Sequence, residues 1–390
     1  MNLKTLSFIC LIFFSFVVIS YSYIGMTSIP TEGDSLNYHI PIAKSYLDGT
    51  VFTPEKIQGV PFLKYSPGST EAILAIFFLL SIPANLFNVL GVLVFFFSLY
   101  YLGRKFGLEK DYSLIFASSV ATLNGIVRWL DTQKVDIFMA SYFVFALALL
   151  QKPEKKLSYF LKLGFFLGML IGSKYSGLLF AAVLIAVYLP LILRYINLKR
   201  ILVFSFPFFI FGGSWYLRNY LSSGNPMYPQ GFLFFKDAGF TILNHQVWKV
   251  VTGSWFGFFG TINALVSEYM IWLVSIPMTL VYFLKRRLKT EGNILSLIIL
   301  GVCNCIIYSF LPSDNIDHIM VSVIRYSYVA FIPFVLTMFI LARKYKKQDY
   351  LGVVAVANMF AVGFPMSYNP KILLLFIPVA LLLYYFQSRK

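Results

Sequence analysis

Apolar residues follow one another along the chain in stretches of roughly 15–24 residues, about the length that crosses a bilayer as a helix. We place twelve such stretches, at residues 6–24, 85–103, 112–126, 136–151, 157–173, 176–193, 201–217, 262–284, 293–311, 326–342, 350–366 and 371–386. The first lacks a small-x-small cleavage site, so we interpret it as a retained helix and not as a signal peptide. The pattern predicts an all-α, polytopic transmembrane protein of about twelve helices, forming a single transmembrane domain over residues 1–390.

Composition agrees with this pattern and excludes the soluble class of protein. Hydrophobic residues make up 59% of the 390 positions and charged residues 12%, a surface that lipid covers and water does not. With the N-terminus in the cytoplasm, one face receives 21 of the 32 Lys and Arg and 5 of the 16 Asp and Glu. The net charge of +16 therefore lies on the cytoplasmic face, as the positive-inside rule requires, and is no sign of nucleic-acid binding. Cys10, Cys303 and Cys305 lie in apolar stretches, which argues against a disulfide framework or a metal cage.

The long loops all fall on the outer face, whereas the cytoplasmic turns are short and basic. We predict a first outer loop at 25–84, a second near 127–135, a third at 218–261 and a fourth at 312–325. Long loops inside a compact protein are usually functional. The candidate chemistry is therefore expected at the exterior ends of the helices.

The first loop opens with EGDSLNYHIP, in which two carboxylates, a tyrosine and a histidine follow one another closely. Asp34 precedes an amphipathic stretch that ends at Gly49, so it is well placed as the N-cap of a helix. A cap is the simplest role for a lone aspartate. The company of Glu32, Tyr38 and His39 favours a functional site instead.

A second pair of carboxylates, Asp131 and Asp136, lies in RWLDTQKVDIFMA, where Asp136 opens the predicted fourth helix. One interpretation is a capping carboxylate paired with Lys134 or Arg128. The other is a functional residue, because a carboxylate that enters hydrocarbon is costly and usually faces a polar interior.

Three cations lie near predicted outer helix ends: Lys174 in GSKYSGL, Arg218 in WYLRNYLSSGNPMYP and Arg325 in VIRYSYVAFIP. An isolated cation at a helix end commonly extends its side chain to the headgroups, and this reading is open for each of them. Together they suit a pocket for an anionic head group, since arginine binds phosphate oxygens in pairs and lysine supplies a point charge.

These stretches together resemble the GT-C superfamily of integral-membrane glycosyltransferases, in particular its protein-mannosyltransferase-like and aminoarabinose-transferase-like members. The matching pieces, within residues 30–335, are EGDSLNYHIPIAKSYLDG, KVDIFMASYFVFALALL, GSKYSGL, WYLRNYLSSGNPMYP and RYSYVAFIP. The run from tryptophan to proline is the most specific of them. The acidic motif here is Glu-x-Asp, whereas the best-known members have an adjacent pair, so the role of Glu32 stays open.

The resemblance implies an enzyme of the plasma membrane with cytoplasmic termini and an active site that faces the exterior. The donor would be a hexose or pentose on polyprenyl phosphate. Inversion at the anomeric carbon needs a carboxylate base, but no general acid, because the phosphate leaves as a stable anion. The competing class is a transporter or flippase for a lipid-linked saccharide. Transporters usually show inverted repeats and broken helices, and we find neither pattern in this sequence.

The resemblance also assigns roles to the residues quoted above. Asp34 is the expected catalytic base, and Asp136 and Glu32 are expected to support it. The expected phosphate ligands are Lys174, Arg218 and Arg325, and the expected substrate-positioning residues are Tyr38, His39 and Asn219. Mg²⁺ or Mn²⁺ at the Glu32-x-Asp34 motif stays open, because two carboxylates alone do not define a divalent-cation site.

The division of basic residues makes the topology testable. We expect residues 104–111 and 285–292 to be cytoplasmic and residues 25–84 and 218–261 to face outward. Single cysteines introduced into 218–261 should react with a membrane-impermeant maleimide in intact cells, whereas those in 104–111 should react only after permeabilisation. The reverse pattern would contradict the topology.

Overall fold

The structure is a computed structural model, and it describes residues 2–231, 234–235, 246–286, 291–311, 313, 315, 319 and 323–363. The predicted twelfth stretch, 371–386, lies outside the described residues, as do parts of the third and fourth predicted outer loops.

Helices long and apolar enough to cross a membrane make up much of the described chain. There are seven: Leu3–Thr27, Ala84–Lys105, Tyr175–Leu193, Leu198–Ser223, Trp255–Arg286, Gly292–Ser309 and Val323–Lys344. Shorter helices are Lys110–Ala121, Asp136–Gln151, Leu157–Ser173, Val247–Gly253 and Gln348–Gly363. These lengths and compositions confirm an all-α, polytopic membrane protein.

The predicted stretch at 112–126 is divided in the structure. Helix Lys110–Ala121 ends there, Leu123 is extended, and the short turn Asn124–Val127 follows. The Thr122 hydroxyl donates to the Ser118 carbonyl at 2.8 Å in this last turn. A helix of 12 residues rises only about 18 Å, less than the apolar layer of a bilayer, so the count of twelve crossings stays a prediction.

The third predicted outer loop is shorter than expected at both ends. Helix Leu198–Ser223 continues past residue 217, and helix Trp255–Arg286 begins before residue 262. The first of these contains a π-helical segment, Phe209–Gly213, just after Pro207. Because proline lacks an N–H and crowds the preceding turn, a widened turn beside it lets the helix continue. Arg218 and Asn219 therefore lie on a helix.

The described chain divides into two compact units. The first comprises Met1–Val18, Leu99–Arg128 and Leu243–Lys390, and the second comprises Ile19–Ser98 and Trp129–Ile242. In the first unit, helix Val323–Lys344 is almost entirely buried and provides the core, with Phe339 packed against the rings of Tyr112, Phe116 and Trp272.

In the second unit, two helices approach each other along a row of glycines. A Cβ atom at Gly164 would lie 2.2 Å from the Phe204 carbonyl oxygen, and one at Gly172 would lie 1.8 Å from that of Phe211. Glycines at this spacing allow backbones to pack closely in a membrane helix pair. The close approach fixes helix Leu157–Ser173 against the helix that carries Arg218.

The first outer loop carries its own helices. A π-helical turn, Ser35–His39, leads directly into helix Ile40–Leu47, and Gly49 follows with a left-handed φ of 67°. Pro41, which has no N–H to donate, lies in the first turn of helix Ile40–Leu47, directly beyond this widened turn. Helix Glu71–Leu79 follows and packs against the first-loop helix, residues 35–47.

Candidate active site

Glu32, and not Asp34, caps the first-loop helix. The Ser35 N–H and hydroxyl both donate to Glu32 Oε2, at 2.8 and 3.0 Å. Asp34 lies inside the first turn with helical φ and ψ of −62° and −38°, and its side chain makes no capping hydrogen bond. The predicted N-cap role of Asp34 is wrong, because the carboxylate two residues earlier already accepts the free amide. The Asp34 side chain is 34% exposed.

Lys134 brings the second loop against these two carboxylates. Its Nζ lies 2.9 Å from Glu32 Oε1, 3.5 Å from Asp34 Oδ2 and 3.9 Å from the ring centroid of Trp129. The Lys134 side chain is 4% exposed, so the carboxylates supply the negative charge that a buried ammonium requires. Sequence reasoning had treated Lys134 only as a partner for the acids of its own loop.

These contacts determine the pKa of Glu32. Burial alone would raise the pKa of Glu32, and the nearby charge of Asp34 acts in the same direction. The hydrogen bond and charge of Lys134, together with the Ser35 amide, outweigh both, and the pKa of Glu32 lies below its usual range. Glu32 therefore stays ionised at neutral pH and keeps its contacts to both loops.

Two asparagines at the start of a membrane helix hold the second loop. Asn88 Nδ2 donates to the carbonyls of Lys134 and Trp129, at 2.8 and 3.1 Å. Asn85 Oδ1 accepts from Gln133 Nε2 at 2.7 Å. Because these side chains satisfy the loop's polar groups inside the protein, the loop holds Lys134 at a fixed position.

Asp136 is paired with Lys174, a partner that the sequence did not predict. Lys174 Nζ lies 3.0 Å from Asp136 Oδ1, and the two side chains are 15% and 3% exposed. Asp136 opens helix Asp136–Gln151, and Lys174 is the extended residue after helix Leu157–Ser173. The structure thus combines one predicted acid and one predicted phosphate ligand in a single ion pair.

His39 and Tyr38 are both buried, and His39 has a carboxylate partner. His39 Nδ1 lies 2.7 Å from Glu71 Oε1, and both residues are at most 1% exposed. The Tyr38 and His39 rings lie 3.9 Å apart, and Tyr38 packs with Ile42 and Ile57. Their expected substrate-positioning role stays a prediction. Sequence reasoning missed Glu71, whose only signal is an acid at the start of an apolar helix.

Arg218 is buried and binds the main chain of the first loop. Its guanidinium donates to the carbonyls of Val51, Tyr65 and Ser66, at 3.2, 2.7 and 3.2 Å. It also donates to Asn219 Oδ1 at 2.8 and 3.0 Å. These acceptors account for the burial of Arg218 without a phosphate, and its expected phosphate-binding role stays a prediction.

Asn219 extends the same network into the next loop. Its Nδ2 donates to the Tyr65 carbonyl at 2.9 Å and to the Tyr175 hydroxyl at 2.8 Å. The Tyr175 hydroxyl in turn lies 2.7 Å from the Tyr65 carbonyl oxygen and 2.5 Å from that of Tyr228, and the two carbonyls share its one proton. Asn219 is fully buried, and its contacts join the first loop to the chain after helix Leu198–Ser223. Its expected substrate-positioning role also stays a prediction.

Arg325 belongs to the first unit. Arg325 is 2% exposed, and its guanidinium lies 5.3 Å from the ring centroid of Tyr326. Its phosphate-binding role stays a prediction. In the same unit, Arg128 Nη1 lies 2.9 Å from Glu268 Oε1, whose side chain is 2% exposed. Sequence reasoning did not single out Glu268, although an acid inside an apolar helix is itself a signal.

A divalent cation at the first-loop carboxylates stays a prediction. Among the described residues, no group of three or more His, Cys, Asp and Glu side chains gathers as a metal site. The ammonium of Lys134 lies between Glu32 and Asp34 and supplies the positive charge there. Hard divalent ions require several converging oxygen ligands, and Glu32 and Asp34 would supply only two carboxylates of such a set.

We expect Arg218→Ala and Arg218→Lys to lower the thermal stability of the purified protein. Each buried carbonyl that loses its donor costs about 1–3 kcal/mol, and lysine cannot reach three carbonyls at once. Thermal unfolding in detergent measures the effect. Lys199→Ala, an exposed cation of the same helix, is the matched control. An unchanged melting temperature in both Arg218 variants would contradict the carbonyl-binding role.

The depressed pKa of Glu32 predicts a specific pH dependence of stability. A carboxyl group whose folded-state pKa is lowered stabilises the fold above its usual pKa of 4.5 and loses this contribution as pH falls through the folded value. The melting temperature of Glu32→Gln should therefore lie below that of the wild type at pH 7. The difference should shrink below pH 4.5, and a constant difference would refute the assignment.

Comparisons with known proteins place the fold. No described protein family and no curated protein matches the chain. Two crystal structures of ArnT from Cupriavidus metallidurans match it, one in the apo state with a TM-score of 0.58 and one bound to undecaprenyl phosphate with a TM-score of 0.59. In both, the match has 15% sequence identity and covers 89% of this chain and 63% of the ArnT chain. The chain therefore has a fold similar to that of ArnT and spans a little under two thirds of the length of the ArnT chain.

Proposed function

We propose that this chain is an inverting membrane glycosyltransferase that moves a sugar from a polyprenyl-phosphate donor to an acceptor at the outer face of the plasma membrane. The observation that carries the proposal is Asp34, a partly exposed carboxylate beside the helix-capping Glu32 and the buried Lys134. The fold shared with ArnT, which was crystallised with undecaprenyl phosphate, supports a lipid-phosphate donor.

Exposure and contacts favour Asp34 as the base over the other carboxylates of the site. Glu71 and Asp136 are 1% and 2% exposed, and each has a basic partner. Glu32 is held by Ser35 and Lys134. A general base must come within about 2.6–3.2 Å of the proton that it accepts, which requires an accessible carboxylate. The Asp34 side chain is accessible. Glu32 holds the helical turn that carries Asp34.

Lys134 holds this carboxylate in place without taking part in bond changes. Its ammonium lies 3.5 Å from Asp34 Oδ2, and Asp34 accepts the proton of the attacking hydroxyl or amine. The shared lysine also restricts the carboxylate's orientation. Because polyprenyl phosphate is a good leaving group, a weak base is sufficient and no residue has to protonate the departing oxygen.

Lys174 is the best candidate for a cation at the leaving phosphate. Its side chain is partly exposed, whereas Arg218 is enclosed by carbonyls of the first loop. A charge-assisted hydrogen bond to phosphate stabilises the developing anion, and Asp136 holds the ammonium in place for it. Asp136 then supports the reaction through Lys174. Arg325 remains a further predicted phosphate ligand.

We expect Asp34→Asn to abolish sugar transfer while leaving folding and donor binding nearly intact. A positioned base contributes about 10²–10⁴-fold, so the rate should fall by at least about a hundredfold. The assay complements a deletion strain with each variant and measures the lipid-linked sugar that accumulates, by mass spectrometry. Donor affinity is measured separately on purified protein.

Two further variants make this result specific. Asp48→Asn makes the same change at an exposed position of the first loop and should leave activity unchanged. Lys134→Met should lower the rate of transfer, because it removes the ammonium that restrains the Asp34 carboxylate. Full sugar transfer in Asp34→Asn would contradict the assignment of Asp34 as the base, whereas a purified wild-type protein that transfers no sugar would favour the transporter or flippase class.

A further inference from the structure

Glu71 is a buried carboxylate to which neither the resemblance nor the proposed reaction gives a role. It lies against His39, and both residues are at most 1% exposed. Within the described part of the chain, one atom of each side chain makes a hydrogen bond, and Glu71 Oε2 and His39 Nε2 are buried with no partner there. A half-satisfied buried pair of this kind is costly to keep, and an apolar pair of similar size is often at least as stable. Its presence calls for a reason other than stability.

The position of Glu71 supplies such a reason. It ends the segment 68–71, which lies between the first-loop helix and helix Leu157–Ser173. Two contacts join the segment to the first-loop helix: the Tyr46 hydroxyl donates to the Gly68 carbonyl at 3.0 Å, and His39 contacts Glu71 at 2.7 Å. His39 lies five residues after Asp34 on that same helix.

The same segment is joined on its other side to the residues before Lys174. The Ser69 N–H donates to the Gly172 carbonyl at 2.8 Å. The hydroxyls of Thr70 and Ser173 lie 2.6 Å apart. Segment 68–71 therefore connects the helix that carries Asp34 to the end of the helix that precedes Lys174.

We propose that Glu71 is a positioning residue that, through His39, fixes the helix carrying Asp34 relative to the Lys174–Asp136 pair. The proposal rests on the proposed function, in which these two places hold the base and the leaving phosphate. Glu71 touches neither. The histidine Nδ1 contact restrains the helix at its fifth residue, where a small rotation moves the Asp34 carboxylate. A misplacement of about 1 Å can cost about 10²-fold in rate, so a restraint at this point matters for turnover.

The test separates positioning from stability with three variants. Glu71→Met breaks the contact and leaves His39 unpaired. Glu71→Gln keeps a neutral hydrogen bond of similar shape. The double variant His39→Leu/Glu71→Met removes both polar groups, so stability should largely return while the restraint stays absent. Glu55→Gln, an exposed acid of the same loop, is the matched control.

Each variant is measured in two ways. Spin labels at Lys44 on the first-loop helix and Leu179 just after Lys174 report their distance distribution by pulsed electron spin resonance, after Cys10, Cys303 and Cys305 have been replaced. Steady-state transfer gives kcat and donor KM. We expect Glu71→Met and the double variant to broaden the distance and lower kcat by about 10–100-fold with donor KM unchanged. Glu71→Gln should lie between these and the wild type.

The outcomes are distinct. An unchanged distance in Glu71→Met and the double variant overturns the proposal, whatever happens to activity. A double variant that regains kcat together with its melting temperature also overturns it, because Glu71 would then act only on stability. If the wild type transfers no sugar while Glu71→Met still broadens the distance, the proposed function fails and the restraint by Glu71 is supported.

Discussion

Burial of ionised side chains is the constraint on which the second unit depends. Removing a charge from water costs several kcal/mol unless a partner compensates it, and the partners here come from other segments of the chain. Lys134 reaches the acids of the first loop, and Asp136 reaches Lys174. Each pairing joins an outer loop or a helix end to another, so satisfying the charges also fixes the arrangement of the loops.

Arg218 is also a buried charged side chain, but its charge is compensated by neutral oxygen atoms and not by a carboxylate. Its guanidinium is surrounded by main-chain carbonyls of the first loop and by Asn219, whose oxygens supply partial negative charge. The arginine can reach them because the glycine row holds its helix close to helix Leu157–Ser173. Packing of small residues inside the membrane therefore determines where a loop outside the helices is held.

Acidic residues that are close together in the sequence differ in their contacts and in their exposure. Glu32 and Asp34 are two carboxylates one residue apart, yet Glu32 accepts the amide of Ser35 and Asp34 is the more exposed. The cap holds the Glu32 carboxylate and leaves Asp34 as the more accessible of the two. A reaction that needs one base and one leaving phosphate can be served by such a division, with the ion pairs setting the geometry between the two.

The sequence by itself determined the helices and the chemistry available to them. The length of apolar stretches, the asymmetry of basic residues and the motifs around Asp34, Asp136, Lys174 and Arg218 were all readable without a structure, and the fold they implied agrees with that of ArnT. The end of helix Lys110–Ala121 was not predicted, because the composition of an apolar stretch does not encode where its helix stops.

Only the tertiary structure decided which side chains meet. His39 and Glu71 are 32 residues apart, Asp136 and Lys174 are 38 apart, and Arg218 contacts carbonyls more than 150 residues away. Hydropathy and capping act over a few residues, so they give no information on pairs at such separations. The contacts of Glu71 and Lys134 could therefore not be predicted. Their partners are brought to them by packing and are not the residues beside them in the chain.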